Sequence, residues 1–199
     1  MTKLILIRHG ETTYNKENRY CGISDPELNN TGVAQAESLG RRVRGLKVEK
    51  VYSSDLRRAV QTASIAFNVE AVEHLPDFRE IDFGIFESLR YDEIIKKHKE
   101  HYINWTTNLI HGRIPQGETL SELFDRVRAG LSRLLSQNKY SVAALVSHGG
   151  PIRVLLCDAL KLGMDSFWQI EQRNAALNII DYSDDQEAAI ETMDDISHL

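Results

Sequence analysis

Two short runs, Leu4 to Ile7 within the strand expected over Lys3 to Arg8, and Val142 to Val146, are wholly apolar, and each is followed by a polar, glycine-containing cluster. A strand that is apolar at successive positions needs cover on both faces, as the central strands of a parallel sheet between helix layers do. The rest of the chain supplies those helices. Thr31-Gly32 opens a segment with Val33, Ala36, Leu39, Gly40 and Val43 near helical spacing, ended by Gly45. Val48 to Ser53 predicts a second strand, and Asp55 an N-cap for a helix carrying Ala59, Thr62, Ala63 and Ala66. Residues 69–75 predict a third strand, and 91–111 a polar helical stretch with Ile94, Ile95, Tyr102 and Trp105. Leu120, Leu123, Phe124, Val127, Leu131, Leu134 and Leu135 mark an amphipathic helix. After Ser147-His148-Gly149-Gly150-Pro151 a helix is expected from Ile152 to Leu162, capped by Gly163. Ala176 to Tyr182 and Glu187 to Met193 close the chain as strands, the second at an edge. The fold class expected is α/β, a three-layer αβα sandwich with a mostly parallel central sheet. Residues 1–199 form one domain in this reading, with 78–117 as a helical insertion, a lid region over the site.

Composition removes several classes of function. No apolar run approaches the roughly 20 residues of a bilayer span. The N-terminal apolar run meets Arg8-His9 too soon for a secretory leader, so a cytoplasmic location is expected. Cys21 and Cys157 are too few and too far apart for a disulfide framework or a zinc site. The net charge of −5 is concentrated at the end. Residues 181–199 hold Asp181, Asp184, Asp185, Glu187, Glu191, Asp194 and Asp195 and no Lys or Arg, which leaves 24 basic against 22 acidic residues before them. A body at +2 with an acidic tail speaks against a general nucleic-acid surface and leaves room for a local anion pocket.

In open α/β sheets ligands bind beyond the carboxyl ends of the strands. Three predicted strands deliver Arg8-His9-Gly10-Glu11, Ser53-Ser54-Asp55-Leu56-Arg57-Arg58 and Ser147-His148-Gly149-Gly150 to that edge. Guanidinium forks match phosphate oxygens, a neutral imidazole is a competent nucleophile, and glycine lets backbone N–H groups approach closely. The ligand this mixture suits is a phosphoryl group. Transfer then needs positive charge around the equatorial oxygens, an in-line nucleophile and a proton donor for the leaving oxygen. Glu80, within Phe78-Arg79-Glu80-Ile81-Asp82-Phe83-Gly84, is the candidate donor.

Arg8-His9-Gly10-Glu11-Thr12, backed by Asn15, Arg19, Gly22, Asp25, Leu28, Gly32, Gln35 and Ala36, resembles the opening of the histidine phosphatase superfamily, the phosphoglycerate-mutase-like proteins. Ser53 to Ala59 with Gln61-Thr62-Ala63, Glu80 before Phe83-Gly84, Gly117-Glu118-Thr119 and Val146 to Gly150 resemble its later blocks in order. The resemblance implies that His9 becomes phosphohistidine, that Arg8, Arg58 and His148 hold the phosphoryl oxygens, and that Glu80 serves the leaving group and then the hydrolytic water. Asn15 and the N–H of Gly149 are implied as further donors, and Cys21 and Gly22 as substrate contacts. The chain departs from the pattern in Cys21-Gly22, where members often have Gln-Gly, and in Phe86-Glu87-Ser88, where Trp-Glu-Gly is common.

The implied activity is metal-independent hydrolysis of a small-molecule phosphomonoester, with no cofactor, nucleic acid or membrane as partner and a homodimer left open. Length, Trp105, Ile114-Pro115-Gln116-Gly117-Glu118-Thr119 and Gly163-Met164 with Phe167-Trp168 are most similar to the α-ribazole phosphatases of cobalamin synthesis. Two other readings stand beside it: a cofactor-dependent phosphoglycerate mutase, and a non-catalytic module that binds a phosphorylated ligand.

Overall fold

The computed structural model describes residues 1–137, 139–185 and 187–199. Strand β1 (Thr2–Arg8) leads through a short α1 (Thr13–Lys16) to α2 (Asn30–Val43), β2 (Lys50–Ser53), α3 (Arg57–Phe67) and β3 (Glu73–His74). Next come α4 (Tyr91–Thr107), α5 (Leu120–Gln137), β4 (Val142–Ser147), α6 (Gly149–Ala159), β5 (Leu177–Tyr182) and β6 (Ala188–Asp195). The sheet has six strands in the order β3-β2-β4-β1-β5-β6. β1, β2, β3 and β4 run parallel, whereas β5 is antiparallel to β1 and β6 antiparallel to β5.

The period-2 alternation of β1 explains the three layers. Leu4 and Leu6 face a core shared with Leu123, Phe124 and Val127 of α5 and Ile152, Leu155 and Leu156 of α6. Ile5 and Ile7 face the opposite core with Leu39 and Val43 of α2 and Ala59 and Ala63 of α3. Both faces of β1 and β4 are therefore covered, which accounts for their continuous apolar runs. The connection after β1 returns by α2 on one face and that after β4 by α6 on the other. The crevice where these connections part lies at the carboxyl ends of β1 and β4, the place where doubly wound sheets take ligands.

Several boundaries differ from the sequence reading, each for a local reason. The third strand shrinks to Glu73–His74, both exposed at the sheet edge. Asp55 does not cap α3: its carboxylate pairs with Arg79, and Leu56 stands at the N-cap without a side-chain bond. Gly45 lies within a 3₁₀ turn at Arg44–Leu46, and Lys47 takes the left-handed φ of 48° that ends the segment. α6 begins at Gly149, because Pro151 falls in the first turn where a missing N–H costs nothing. It ends at Ala159, with Lys161 rather than Gly163 left-handed, at φ 55°. Around α4, Phe86, Ile94, Trp105 and Ile114 form a third, separate core that also takes in Tyr20 and Phe83. No helix among the described residues is long and apolar enough to cross a membrane.

Candidate active site

Register alone brings the two histidines together. Arg8 of β1 pairs with Ser147 of β4, so the next residue of each strand, His9 and His148, emerges beside the other, and His9 N donates to Ser147 O at 3.0 Å. Their rings lie 5.1 Å apart between centroids. β2 joins from the other side of β4: Ser53 pairs with Val146, Ser54 N donates to Val146 O at 2.9 Å, and the first turn of α3 then carries Arg58 inward. His9 is 3% exposed, and His148 and Arg58 are fully buried.

Hydrogen bonding fixes both imidazole tautomers. His9 Nδ1 faces the carbonyl of Gly10 at 2.7 Å, so Nδ1 carries the proton and Nε2 keeps its lone pair. Arg58 Nε lies 3.2 Å from His9 Nε2 and 3.2 Å from His148 Nδ1, and shares its one N–H between the two lone pairs. His148 Nε2 is then the protonated nitrogen, 2.8 Å from Ser54 Oγ. Burial pushes both imidazoles well below their ordinary value, and the cationic neighbours add to this, Arg58 and Arg8 at His9 and chiefly Arg58 at His148. His9 is thus neutral at physiological pH, the form that can act as a nucleophile.

The positive charge around the pair is held by backbone carbonyls. Arg58 Nη1 donates to Ser24 O at 2.6 Å and Nη2 to Gly22 O at 2.7 Å. Arg8 Nη1 donates to Gln172 O at 2.5 Å, while Arg8 Nε is buried with no partner among the described residues. Burial lowers the Arg8 guanidinium to about 10, against the opposing pull of Glu80. Glu80 lies across the first turn of α6, where Gly150 N donates to Oε1 at 3.0 Å and Oε2 at 3.1 Å. A β-carbon on Gly150 would collide with Glu80 Oε1, so this approach requires glycine. A β-carbon placed on Gly149 would stand 3.2 Å from Arg153 Nη1, 3.7 Å from Glu80 Oε2 and 3.8 Å from Arg8 Nε. Two guanidinium groups and one carboxyl group therefore converge beside Gly149.

A cavity of about 450 Å³ opens beside this cluster, with Arg8, Asn15, Cys21 and Glu80 among its walls. Asn15 Oδ1 is occupied by Thr12 N at 3.0 Å, and its amide nitrogen has no hydrogen bond among the described residues. Cys21 lines the cavity, and burial raises its thiol to about 11. Gly22 does not line it; its carbonyl holds Arg58 instead. Residues missed in the sequence complete the surroundings. Asn174, Trp168, Tyr20 and Phe83 line the cavity, and Arg153 stands behind Gly149. Asn174 reaches the site because β5 is antiparallel: Leu177 pairs with Ile7, so the residues preceding β5 arrive at the carboxyl end of β1. Asn174 Nδ2 donates to His9 O at 3.1 Å. No local motif marks it.

The family model of the histidine phosphatase superfamily (branch 1) matches residues 4–195. The chain is 36% identical over 209 residues to the Salmonella typhi protein named "Probable phosphoglycerate mutase GpmB", a match spanning 100% of this chain and 95% of that one. The crystal structure of the alpha-ribazole phosphatase from Shigella flexneri superposes with a TM-score of 0.91 at 26% identity, over 98% of this chain and 96% of that one. A phosphoserine phosphatase from Entamoeba histolytica, solved with 3-phosphoglyceric acid, superposes with a TM-score of 0.85 at 26% identity over 100% of both chains. Family match, sheet order and the pairing of two strand-end histidines agree: the chain belongs to the histidine phosphatase superfamily and is a phosphatase of the histidine type.

Proposed function

We propose that the protein hydrolyses small phosphomonoesters through a phosphohistidine at His9, without a metal, and that its substrates carry an uncharged alcohol bearing a planar aromatic group, of the α-ribazole 5′-phosphate kind. The observation that carries the chemistry is the fixed tautomer of His9, whose Nε2 lone pair lies in a buried cradle with Arg58 and His148. As phosphate enters, the N–H of Arg58 Nε passes from the His9 Nε2 lone pair to a phosphoryl oxygen, and Nε2 attacks phosphorus as the P–O ester bond breaks. The ring becomes cationic as that bond forms, and Gly10 O, accepting from Nδ1–H, stabilises the charge. Arg8, Arg58, His148, Asn15 and the N–H of Gly149 receive the phosphoryl oxygens, the last as a first-turn donor without an intrahelical acceptor. In its protonated form Glu80 gives a proton to the leaving oxygen. It then takes one from the water that attacks phosphorus, breaks the P–N bond and releases phosphate and neutral His9.

The substrate class rests on the cavity wall. Tyr20, Phe83 and Trp168 line it, and Trp168, 41% exposed, is backed edge-on by Phe167 at 4.8 Å and Trp105 at 5.9 Å. Aromatic faces bind planar apolar groups. The α-ribazole phosphatase of Shigella flexneri is among the structures that superpose.

A second reading is favoured by the relative named as a phosphoglycerate mutase. A mutase must also hold a second anionic group, yet Arg19 at the cavity wall already pairs with Glu17 and Glu93. A panel of phosphomonoesters assayed with chelator present separates the two. Phosphate release, lost in His9→Ala, should be about tenfold or more faster in kcat/KM for α-ribazole 5′-phosphate and aryl phosphates than for phosphoglycerates. Isomerisation of phosphoglycerate outrunning phosphate release overturns the proposal.

A further inference from the structure

Arg58 is held by a loop that has no regular structure of its own. Gly22 O and Ser24 O accept its two terminal nitrogens, and residues 21–27 belong to no helix or strand. What fixes those carbonyls is a single carboxylate outside the cradle. Glu87 Oε1 accepts from Gly22 N at 3.0 Å, Ile23 N at 3.1 Å and Phe83 N at 3.1 Å. Its Oε2 accepts from Ser24 N at 3.1 Å and Ser24 Oγ at 2.5 Å. Four backbone N–H groups from two loops thus close on one side chain, a nest that favours an anion, and bonds to an ionised acceptor are stronger than neutral ones. The approach is close enough that a β-carbon on Gly22 would strike both Ile81 O and Glu87 Oε1. Next to it, Ser88 sits at a left-handed φ of 67°, and its Oγ donates to Tyr14 OH at 3.1 Å and lies 3.4 Å from Ser24 Oγ.

We propose that Glu87 is a positioning residue for phosphoryl transfer: it gathers residues 22–24 so that their carbonyls aim the guanidinium of Arg58 between His9 and His148. Glu87 touches none of the reacting groups in this arrangement. It acts through two carbonyls and one cation. Without that cation two buried imidazole lone pairs would face each other with no donor between them. The same loop continues back to Cys21, Tyr20 and Arg19 at the cavity wall, so the carboxylate also joins the substrate side of the pocket to the segment that follows Glu80.

The inference rests on the phosphohistidine reading, and its test keeps the two apart. Glu87→Gln preserves size and replaces one acceptor oxygen with a donor that faces N–H groups. It is compared with the wild type and His9→Ala for thermal midpoint, kcat and KM on 4-nitrophenyl phosphate, the pH profile of kcat/KM, and vanadate binding by calorimetry. The folded variant should bind vanadate about tenfold or more weakly and lose a similar factor in kcat, as small displacements of aligned groups do. Its acid limb should move to higher pH. Arg58 and Arg8 face His9, and Arg58, His9, Arg8 and Arg126 face His148, so withdrawing the charge of Arg58 eases protonation of both imidazoles. A merely structural Glu87 would lower the midpoint and leave vanadate binding and the acid limb at wild-type values, and that result overturns the proposal. Should Glu87→Gln not fold, Ser24→Ala removes one bond to the carboxylate and keeps the backbone ones. It should move the same readouts in the same direction by a smaller factor, and wild-type values there count equally against the proposal. A wild type that binds vanadate but shows no turnover would contradict the catalytic reading alone, because vanadate binding still reports the position of Arg58.

Discussion

His9 and His148 are buried as neutral imidazoles beside two guanidinium groups, which makes the cradle sensitive to acid. The unfolded chain takes up protons on these side chains near pH 6.5, whereas the folded chain resists until much lower pH. The unfolded state therefore binds more protons in the window below about 6.5, and stability falls there as pH falls. Each fully buried imidazole contributes a slope of about 1.4 kcal/mol per pH unit in that window. His198, whose imidazole burial also lowers, adds in the same direction. Urea midpoints measured from pH 8 down to pH 5 should hold steady to about 6.5 and then drop, above the range where carboxylates protonate. A midpoint that stays flat to pH 5 contradicts the burial of neutral imidazoles. The residues most legible in the sequence were those at strand ends, His9, His148, Arg8 and the nearby Arg58, because an apolar strand predicts both its own burial and the edge where it stops. Arg153, Asn174 and Trp168 gave no such signal. They reach the site through the second turn of a helix, an antiparallel strand and a 3₁₀ segment, placements that only tertiary packing decides.

At the scale of elements, the start of α6 does the most to shape the site. Gly149, Gly150 and Pro151 form its first turn, where N–H groups lack intrahelical partners and one of them is turned on Glu80. Gly150→Ala should push Glu80 out of that position. The expected result is a fall in kcat of about tenfold or more with little change in phosphate or vanadate binding, and a denaturant midpoint near the wild-type value because the atom displaced is the end of a flexible side chain. Steady-state kinetics beside a denaturant titration check both, and an Ala variant with wild-type kcat contradicts the assignment of Glu80 to this turn. The type of each helix was legible from apolar spacing, but its ends were less so. Asp55 has the chemistry of an N-cap and spends it on Arg79, while Lys47 and Lys161 occupy left-handed positions expected of Gly45 and Gly163. In each case a neighbour distant in sequence, or a tightening into 3₁₀ geometry, outweighed local preference.

On the scale of the whole molecule, the sheet order explains how segments about 50 and 90 residues apart meet at one phosphoryl-sized cradle. β4 inserts between β1 and β2, so three strand ends stand side by side, and β5 returns antiparallel to bring residues 172–174 onto the same edge. The αβα layering and the parallel centre were readable from the two all-apolar runs. The reversal of β5 was not, since a buried strand carries no mark of its direction. Phe86, Ile94, Trp105 and Ile114 from residues 78–117 form the separate core against which Tyr20 and Phe83 of the cavity wall pack. The central claim is that His9 carries the phosphoryl group during turnover. Mixing the wild-type enzyme with a ³²P-labelled phosphomonoester, quenching in alkali within the first turnover and mapping the labelled peptide tests it most directly. The account predicts acid-labile, alkali-stable label on the peptide containing His9, absent from His9→Ala. Turnover with no trapped phosphoenzyme in the wild type and undiminished hydrolysis by His9→Ala would contradict it.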